Sequence, residues 1–176
     1  MLFLRSFSTL KTRHTNVHER PAHEHVSQRT KGEQLMSTED NKAIVRRFHA
    51  GMVENFLTGN RDPLLATMAP DCAFDMPGMP STVEGMLQVL AAFRTAFPDL
   101  QVTLGALIAE DDKVAYRLTW TGTHTGEFMG IAATGKRVTV TETRVDQITN
   151  GKVVRHDGDS DQLGMLQQLG VIPAMG

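Results

Sequence analysis

The hydrophobic period of this chain changes at Pro98, and that change limits the folds that the chain can adopt. Before Pro98, apolar side chains recur every four residues, as at Ile44, Phe48, Met52 and Phe56. After Pro98, apolar and polar side chains largely alternate. A repeat of three to four residues is typical of an amphipathic helix, whereas a repeat of two is typical of a half-buried strand. Helices followed by a separate set of strands predict an α+β domain.

Local signals divide the helical half into three helices. The first begins at Ser37, which can cap it with Asp40 three residues on, and it ends at Gly59. Asp62 precedes a proline and predicts the start of a short second helix. The segment Ser81–Glu84 has the capping-box spacing and predicts the start of a third, which Pro98 ends.

Five strands and a closing helix are predicted around these helices. The strands cover about 71–76, 102–108, 114–123, 136–149 and 152–157, and the helix covers 162–169. Asn150-Gly151 is the strongest hairpin signal in the chain. A curved antiparallel sheet that wraps around the long first helix makes a cone with a pocket inside it.

The charge distribution divides the chain near Met36. Residues 1–35 carry six basic and three acidic side chains, whereas the remainder carries twelve basic and seventeen acidic ones. We therefore expect a disordered extension over 1–35 and one domain over 36–176. Two interpretations of the extension stay open: a start assigned too far upstream, with Met36 as the real initiator, or an organellar transit segment. The first predicts a cytoplasmic protein, and the second predicts organellar import.

The overall composition excludes several classes of protein. The formal net charge of -2 gives no indication of nucleic-acid binding. The only cysteine, Cys72, rules out a disulfide within the chain and argues against a cysteine-based zinc site. No apolar run is long enough to predict a membrane-spanning helix. No motif for a metal, a phosphate loop or a nucleophile elbow occurs, so no metal or cofactor is expected.

Five short segments, taken in order, resemble one known family. They are 97–100 (FPDL), 122–128 (GTHTGEF), 134–136 (TGK), 150–154 (NGKVV) and 164–170 (GMLQQLG). Each segment alone is weakly specific, but their order and spacing over about 38–171 resemble the SnoaL-like polyketide or ester cyclases of the NTF2-like folds. One fold can host many activities, so the resemblance is more specific for the fold than for the reaction.

The resemblance implies a type of chemistry as well as a fold. Polyketide cyclases of this family close a ring by an intramolecular aldol step without a metal or cofactor, and a carboxylate deep in the pocket transfers the proton. Related cones include the limonene epoxide hydrolases and ketosteroid isomerase. For this chain the resemblance implies a cyclase or isomerase that acts on an apolar small carbonyl compound. A homodimer is expected as well.

Three residues are candidates for proton transfer. Asp157 resembles the catalytic carboxylate of the related enzymes by its place at the end of the last strand, although it can equally be a turn residue. Asp161 is its rival, with the alternative of capping the closing helix. His124 lies in the most family-like segment and shares a face with Trp120, so it can orient a substrate or be a buried structural histidine.

A second group of residues is expected to bind the substrate. Glu142 and Arg144 share one face of the third long strand, which is either a polar pocket floor or a solvated surface. His49 is expected to be exposed on the first helix, and Glu127 and His156 are expected at the surface or rim. The predicted apolar lining comprises Phe48, Met52, Phe74, Trp120 and Phe128.

Two departures from the family pattern leave other functions open. Ala132-Ala133 replaces a common Pro-Pro pair, and Asp157 stands where a tryptophan is common. Epoxide hydrolysis would need an Asp–Arg–Asp arrangement, and Gly126 removes one of the expected carboxylates, so this reaction ranks below cyclisation. A non-catalytic module that binds a ligand or a partner is the alternative from another class.

Overall fold

The change from helices to strands at Pro98 is confirmed by a computed structural model, which describes residues 36–173. The expectations for residues 1–35 lie outside the described residues. Four helices and five strands occur within the described range. They are α1 (Thr38–Thr58), α2 (Asp62–Leu65), β1 (Met68–Asp75), α3 (Val83–Ala96), β2 (Gln101–Glu110), β3 (Lys113–Thr123), β4 (Arg137–Thr149), β5 (Lys152–Ser160) and α4 (Gln162–Leu169).

The strands form one curved, open sheet in the order β1-β5-β4-β3-β2. Strands β2 to β5 are antiparallel neighbours, whereas β1 pairs in parallel with β5. The predicted hairpin is present, because Asn150 and Gly151 have φ angles of 50° and 74° between β4 and β5. The α+β cone is confirmed, and the parallel edge strand makes the sheet mixed rather than purely antiparallel.

A bulge in β5 decides which of its side chains face the core. The register of β5 against β4 shifts between Val153 and Arg155, which leaves Val154 as an extra residue. Simple alternation from Val153 would turn Asp157 towards the core. Because the bulge shifts the alternation by one residue, His156 faces the core and is only 2% exposed.

Helix α1 packs across the concave face of the sheet. Ser37 and Asp40 form the predicted capping box at its start, and Gly59 ends it in a left-handed conformation. Its apolar row buries Ile44 and Phe48 almost completely. Among residues 36–173, no helix is both long enough and apolar enough to cross a membrane.

Gly51 lets α1 and α2 approach closely. A Cβ at this position would lie 2.6 Å from the backbone nitrogen of Leu64 and 2.7 Å from its Cα. Helix propensity alone would make Gly51→Ala stabilising by about 1 kcal/mol. We expect the contact with rigid backbone to outweigh that gain and to lower the free energy of unfolding by about 1–3 kcal/mol. Urea unfolding measures the change, with Ala50→Gly on the exposed side of α1 as a control for propensity. A Gly51→Ala protein as stable as the wild type would contradict this account.

Candidate active site

A cavity of about 630 Å³, counted with its open mouth, lies between the helices and the concave face of the sheet. We call it the main cavity. Most of its wall is apolar and includes, besides valines and leucines, flexible methionines and flat aromatic rings, namely Met52, Met76, Met79, Met86, Phe56, Phe93 and Trp120. Its polar side chains are His49, Glu142, Arg144 and His156. An apolar cavity with a few polar groups is typical of a site for a small organic molecule.

A buried histidine–carboxylate pair lies at the wall of this cavity. His156 and Asp146 stand directly opposite each other on β5 and β4, and Asp146 is fully buried. The distance between His156 Nδ1 and Asp146 Oδ1 is 2.5 Å. When Nδ1 donates to the carboxylate, the lone pair of the neutral imidazole is on Nε2. Nε2 is therefore the nitrogen that can accept a proton from a ligand.

Tyr116 completes the surroundings of Asp146. Its hydroxyl donates a hydrogen bond to Asp146 Oδ2 over 2.9 Å. Burial, reinforced by the negative charge of Asp146, raises the pKa of the Tyr116 phenol well above its ordinary value. The phenol therefore keeps its proton, and both carboxylate oxygens of Asp146 have a donor.

Two phenylalanines hold the ring of His156 in place. Phe48 and Phe74 meet the imidazole edge-on, with ring centroids 5.2 Å and 5.9 Å away. Both line a smaller apolar pocket beside the main one. Met52 lines both cavities. Phe48 and Phe74, predicted as lining, thus contact the histidine rather than the main cavity.

Glu142 and Arg144 both line the main cavity and are not on a solvated surface. Arg144 donates to Glu142 through Nε at 3.1 Å and also through Nη2. Trp120 Nε1 and Ser160 Oγ donate to the other carboxylate oxygen over 3.0 Å and 3.2 Å. Glu142 therefore fixes both the indole and the guanidinium, and Arg144 keeps further N–H donors for a ligand.

His49 is a cavity residue that the sequence-based expectation of an exposed side chain missed. It is 4% exposed and lines the main cavity. Burial lowers the pKa of His49 to about 4, although the nearby charge of Asp146 opposes this shift. The imidazole is therefore neutral near pH 7.

The two predicted catalytic aspartates lie outside the lining of the main cavity. Asp157 is on the other face of β5, because the bulge reverses the alternation, and it accepts from Arg155 Nε at 2.6 Å. Asp161 is the N-cap of α4, where it accepts from the backbone N–H of Gly164 at 2.8 Å. Capping matches the alternative interpretation of Asp161. Asp157 lies within β5, paired with Val145 and Asp75, so it is not the turn residue of its alternative interpretation.

His124 is fully buried but does not line the main cavity either. Its Nδ1 accepts a hydrogen bond from the backbone N–H of Thr134 over 3.3 Å, and its ring stacks on Phe97. It thereby connects the two ends of the segment between β3 and β4. Phe128 lies in that segment and packs on Phe93, a lining residue, with centroids 4.5 Å apart. Both residues support the cavity wall from behind.

Sequence signals existed for two of the missed residues. Asp146 continues the alternation of Glu142 and Arg144 along β4. His49 follows Val45 by four residues in a second row beside the apolar row of α1. His156 had no such signal, because only the bulge turns it inward. Within residues 36–173, no group of three or more histidine, cysteine, aspartate and glutamate side chains is arranged to hold a metal ion.

The fold and the cavity together define a class of protein: an α+β cone of the NTF2-like type with buried ionisable groups in an apolar site. The model of the SnoaL-like polyketide cyclase family matches residues 43–169, and the chain belongs to that family.

Solved structures of similar proteins agree with this membership. AclR, a proposed hydroxylase from Streptomyces galilaeus, is 30% identical over 80% of this chain and 87% of its own, with a TM-score of 0.68. IdmH, a proposed polyketide cyclase from Streptomyces antibioticus, is 32% identical over 74% of this chain and 98% of its own, with a TM-score of 0.62. TsrD from Streptomyces laurentii is 27% identical over 74% of this chain and 98% of its own, with a TM-score of 0.67. No curated protein matches the chain.

Proposed function

We propose that the protein is an acid/base enzyme of the polyketide cyclase type, which acts on an apolar small carbonyl compound by cyclisation or isomerisation. The observation that carries this proposal is the His156–Asp146 pair, buried at the wall of an apolar cavity. A histidine oriented by a carboxylate is a common arrangement for a general base. The base is therefore His156, not the carboxylate of Asp157 that the family resemblance suggested.

The proposed reaction begins with removal of a proton. His156 Nε2 takes a proton from the carbon next to a carbonyl, the C–H electron pair forms the C=C bond, and the carbonyl π pair moves to oxygen. In cyclisation, the enolate carbon then attacks a second carbonyl of the same molecule and forms a C–C bond. The new alkoxide takes the proton from His156. In isomerisation, the proton returns to a different carbon, so both routes restore the histidine without net oxidation.

The surrounding charges support both steps. Asp146 stabilises the imidazolium that forms on His156 and holds it in the required tautomer. The guanidinium of Arg144, held by Glu142, offers N–H donors to an oxygen that becomes negative. The apolar wall gives these charges surroundings of lower dielectric constant than water, which strengthens their interactions.

Other reactions fit the cavity less well. Epoxide hydrolysis by an Asp–Arg–Asp arrangement would use Asp157, which binds Arg155 outside the cavity lining. AclR and IdmH are proposed to be a hydroxylase and a cyclase, so similarity alone supports more than one reaction. Cyclisation and isomerisation use the buried base directly, by removing a proton from carbon. A non-catalytic ligand-binding module is the remaining alternative.

Turnover by His156→Gln and Asp157→Asn tests the proposal, because the two residues are neighbours on opposite faces of β5. With a panel of apolar keto esters, steroid enones and terpene epoxides, we expect His156→Gln to lose about 10²–10⁴-fold in kcat. Asp157→Asn should stay within a few-fold of the wild type. Ligand binding should persist in both variants.

Three other results would each point elsewhere. Loss of turnover in Asp157→Asn alone would return the catalytic role to that carboxylate. Turnover of epoxides alone would favour the hydrolase. Binding without turnover in all three proteins would favour the ligand-binding module. A homodimer and a cytoplasmic location stay predictions from the sequence.

A further inference from the structure

His49 is a buried polar side chain without a protein partner. It is 4% exposed, yet no hydrogen bond from the residues that the structure describes reaches its ring, and Nε2 is buried without a partner. Among residues 36–173, its close ring neighbours are Tyr116 at 4.9 Å and Phe48 at 6.1 Å between centroids, both edge-on. A buried polar group without a hydrogen bond is costly, so its presence requires an explanation, such as a role in binding a ligand.

The position of His49 makes it available to a ligand in the main cavity. It enters the cavity wall from α1, whereas His156 and Arg144 enter from the sheet. A molecule between helix and sheet can therefore contact all three side chains. Since its pKa is about 4, the imidazole is neutral near pH 7 and has one donor and one acceptor nitrogen.

The proposed cyclisation needs two oxygen contacts. Negative charge develops first on the enolate oxygen and then on the alkoxide oxygen, and stabilising each requires a hydrogen-bond donor near it. Arg144 can serve one oxygen, but it is tied to Glu142. His49 is the other lining side chain that can donate without losing an existing hydrogen bond.

We propose that His49 is a substrate-binding residue that hydrogen-bonds a second oxygen of the substrate, so that the natural ligand carries two oxygens at its reacting end. This inference rests on the proposed function, because the need for two oxygen contacts follows from the proposed cyclisation. The binding contact itself can be measured without turnover, on a ligand that the enzyme cannot convert.

A matched ligand pair tests the contact. Naphthalene and 1,3-dihydroxynaphthalene have the same flat apolar body, and only the second carries two oxygens. The chain has a single tryptophan, Trp120, which lines the main cavity, so its indole N–H signal in a ¹H–¹⁵N NMR titration reports occupancy. We expect the wild type to prefer the dihydroxy compound by at least tenfold.

The variants His49→Phe and His49→Gln separate the contact from the shape of the ring. His49→Phe should reduce the preference about tenfold, as expected for one lost hydrogen bond, and leave the affinity for naphthalene within twofold. His49→Gln, which keeps a donor and an acceptor, should retain more of the preference than phenylalanine does. Arg144→Met should reduce the preference for the dihydroxy compound independently. The double variant should then lose the contributions of both His49 and Arg144 to that preference.

Several results would overturn the inference. One is a wild type that binds both compounds equally, and another is a His49→Phe variant that keeps the full preference. A third is equal loss of both affinities in that variant, since this would show a purely structural role. Failure of turnover in every protein would instead contradict the proposed function, and would leave a His49-dependent preference standing as evidence for the contact.

Discussion

Asp146→Asn is expected to fold and to bind ligand but to lose turnover by a factor on the order of 10³–10⁴. Asparagine keeps one oxygen for the Tyr116 hydroxyl and turns its NH₂ group towards His156 Nδ1. His156 Nδ1 must then accept, which puts the ring proton on Nε2. The nitrogen that faces the substrate loses its lone pair, and the base is lost although the geometry persists. The same exchange of tautomer lowers kcat by about 10⁴-fold in serine proteases.

Asp146→Ala is the matched control, because it removes the acceptor altogether. The Tyr116 hydroxyl and the His156 N–H would then be buried without partners, at a cost of about 1–3 kcal/mol for each group. We therefore expect Asp146→Ala to lower the free energy of unfolding by about 3–5 kcal/mol, and Asp146→Asn by about 1 kcal/mol. That difference lets the kinetic effect of asparagine be separated from instability.

Steady-state kinetics and urea unfolding of the two variants, each compared with wild type, check this prediction. The affinity for 1,3-dihydroxynaphthalene shows whether the cavity of Asp146→Asn is intact. An asparagine variant with more than a tenth of wild-type kcat would mean that Asp146 does not control the tautomer of the base. Equal stability of the alanine variant and the wild type would mean that the carboxylate is not a buried acceptor.

The fold could be predicted from the sequence because each element has a local signal. The helix start at Ser37, the hairpin at Asn150 and the N-cap at Asp161 depend only on neighbouring residues, and all three are present. The parallel pairing of β1 with β5 could not be derived in this way. It depends on where the chain returns after the helices, which is a property of the packed sheet.

The site was harder to predict because one extra residue in β5 changes which of its side chains face the core. Glu142 and Arg144 follow simple alternation along β4, so placing them together on one face was sound. Asp157 was expected in the site from its resemblance to a catalytic carboxylate at the end of the last strand, whereas the bulge at Val154 turns His156 towards the core. Alternation along the sequence therefore predicts which side chains face the cavity only in strands that have no register shift.

Acidification from pH 6.5 to about 4 is expected to remove about 3 kcal/mol of stability through His49 alone. Burial lowers the pKa of His49 from 6.5 to about 4. Between these values the unfolded chain binds a proton at this residue and the folded protein does not. Stability is therefore complete above pH 6.5 and falls as the pH falls. Two and a half pKa units correspond to about 3 kcal/mol.

The His49→Gln variant isolates this contribution, because glutamine does not titrate. Asp146, His156 and Arg144 also face His49, and Tyr116 lies against its ring, but these groups are common to both proteins. Urea unfolding between pH 7 and 4 should show that the wild type loses about 3 kcal/mol more than the variant. Parallel curves would mean that the pKa of His49 is the same in the folded and the unfolded protein, so that burial does not disfavour its charged form. A neutral imidazole is what allows His49 to donate to a substrate oxygen without adding a second cation beside Arg144, so parallel curves would also confine this role to pH values above about 6.5.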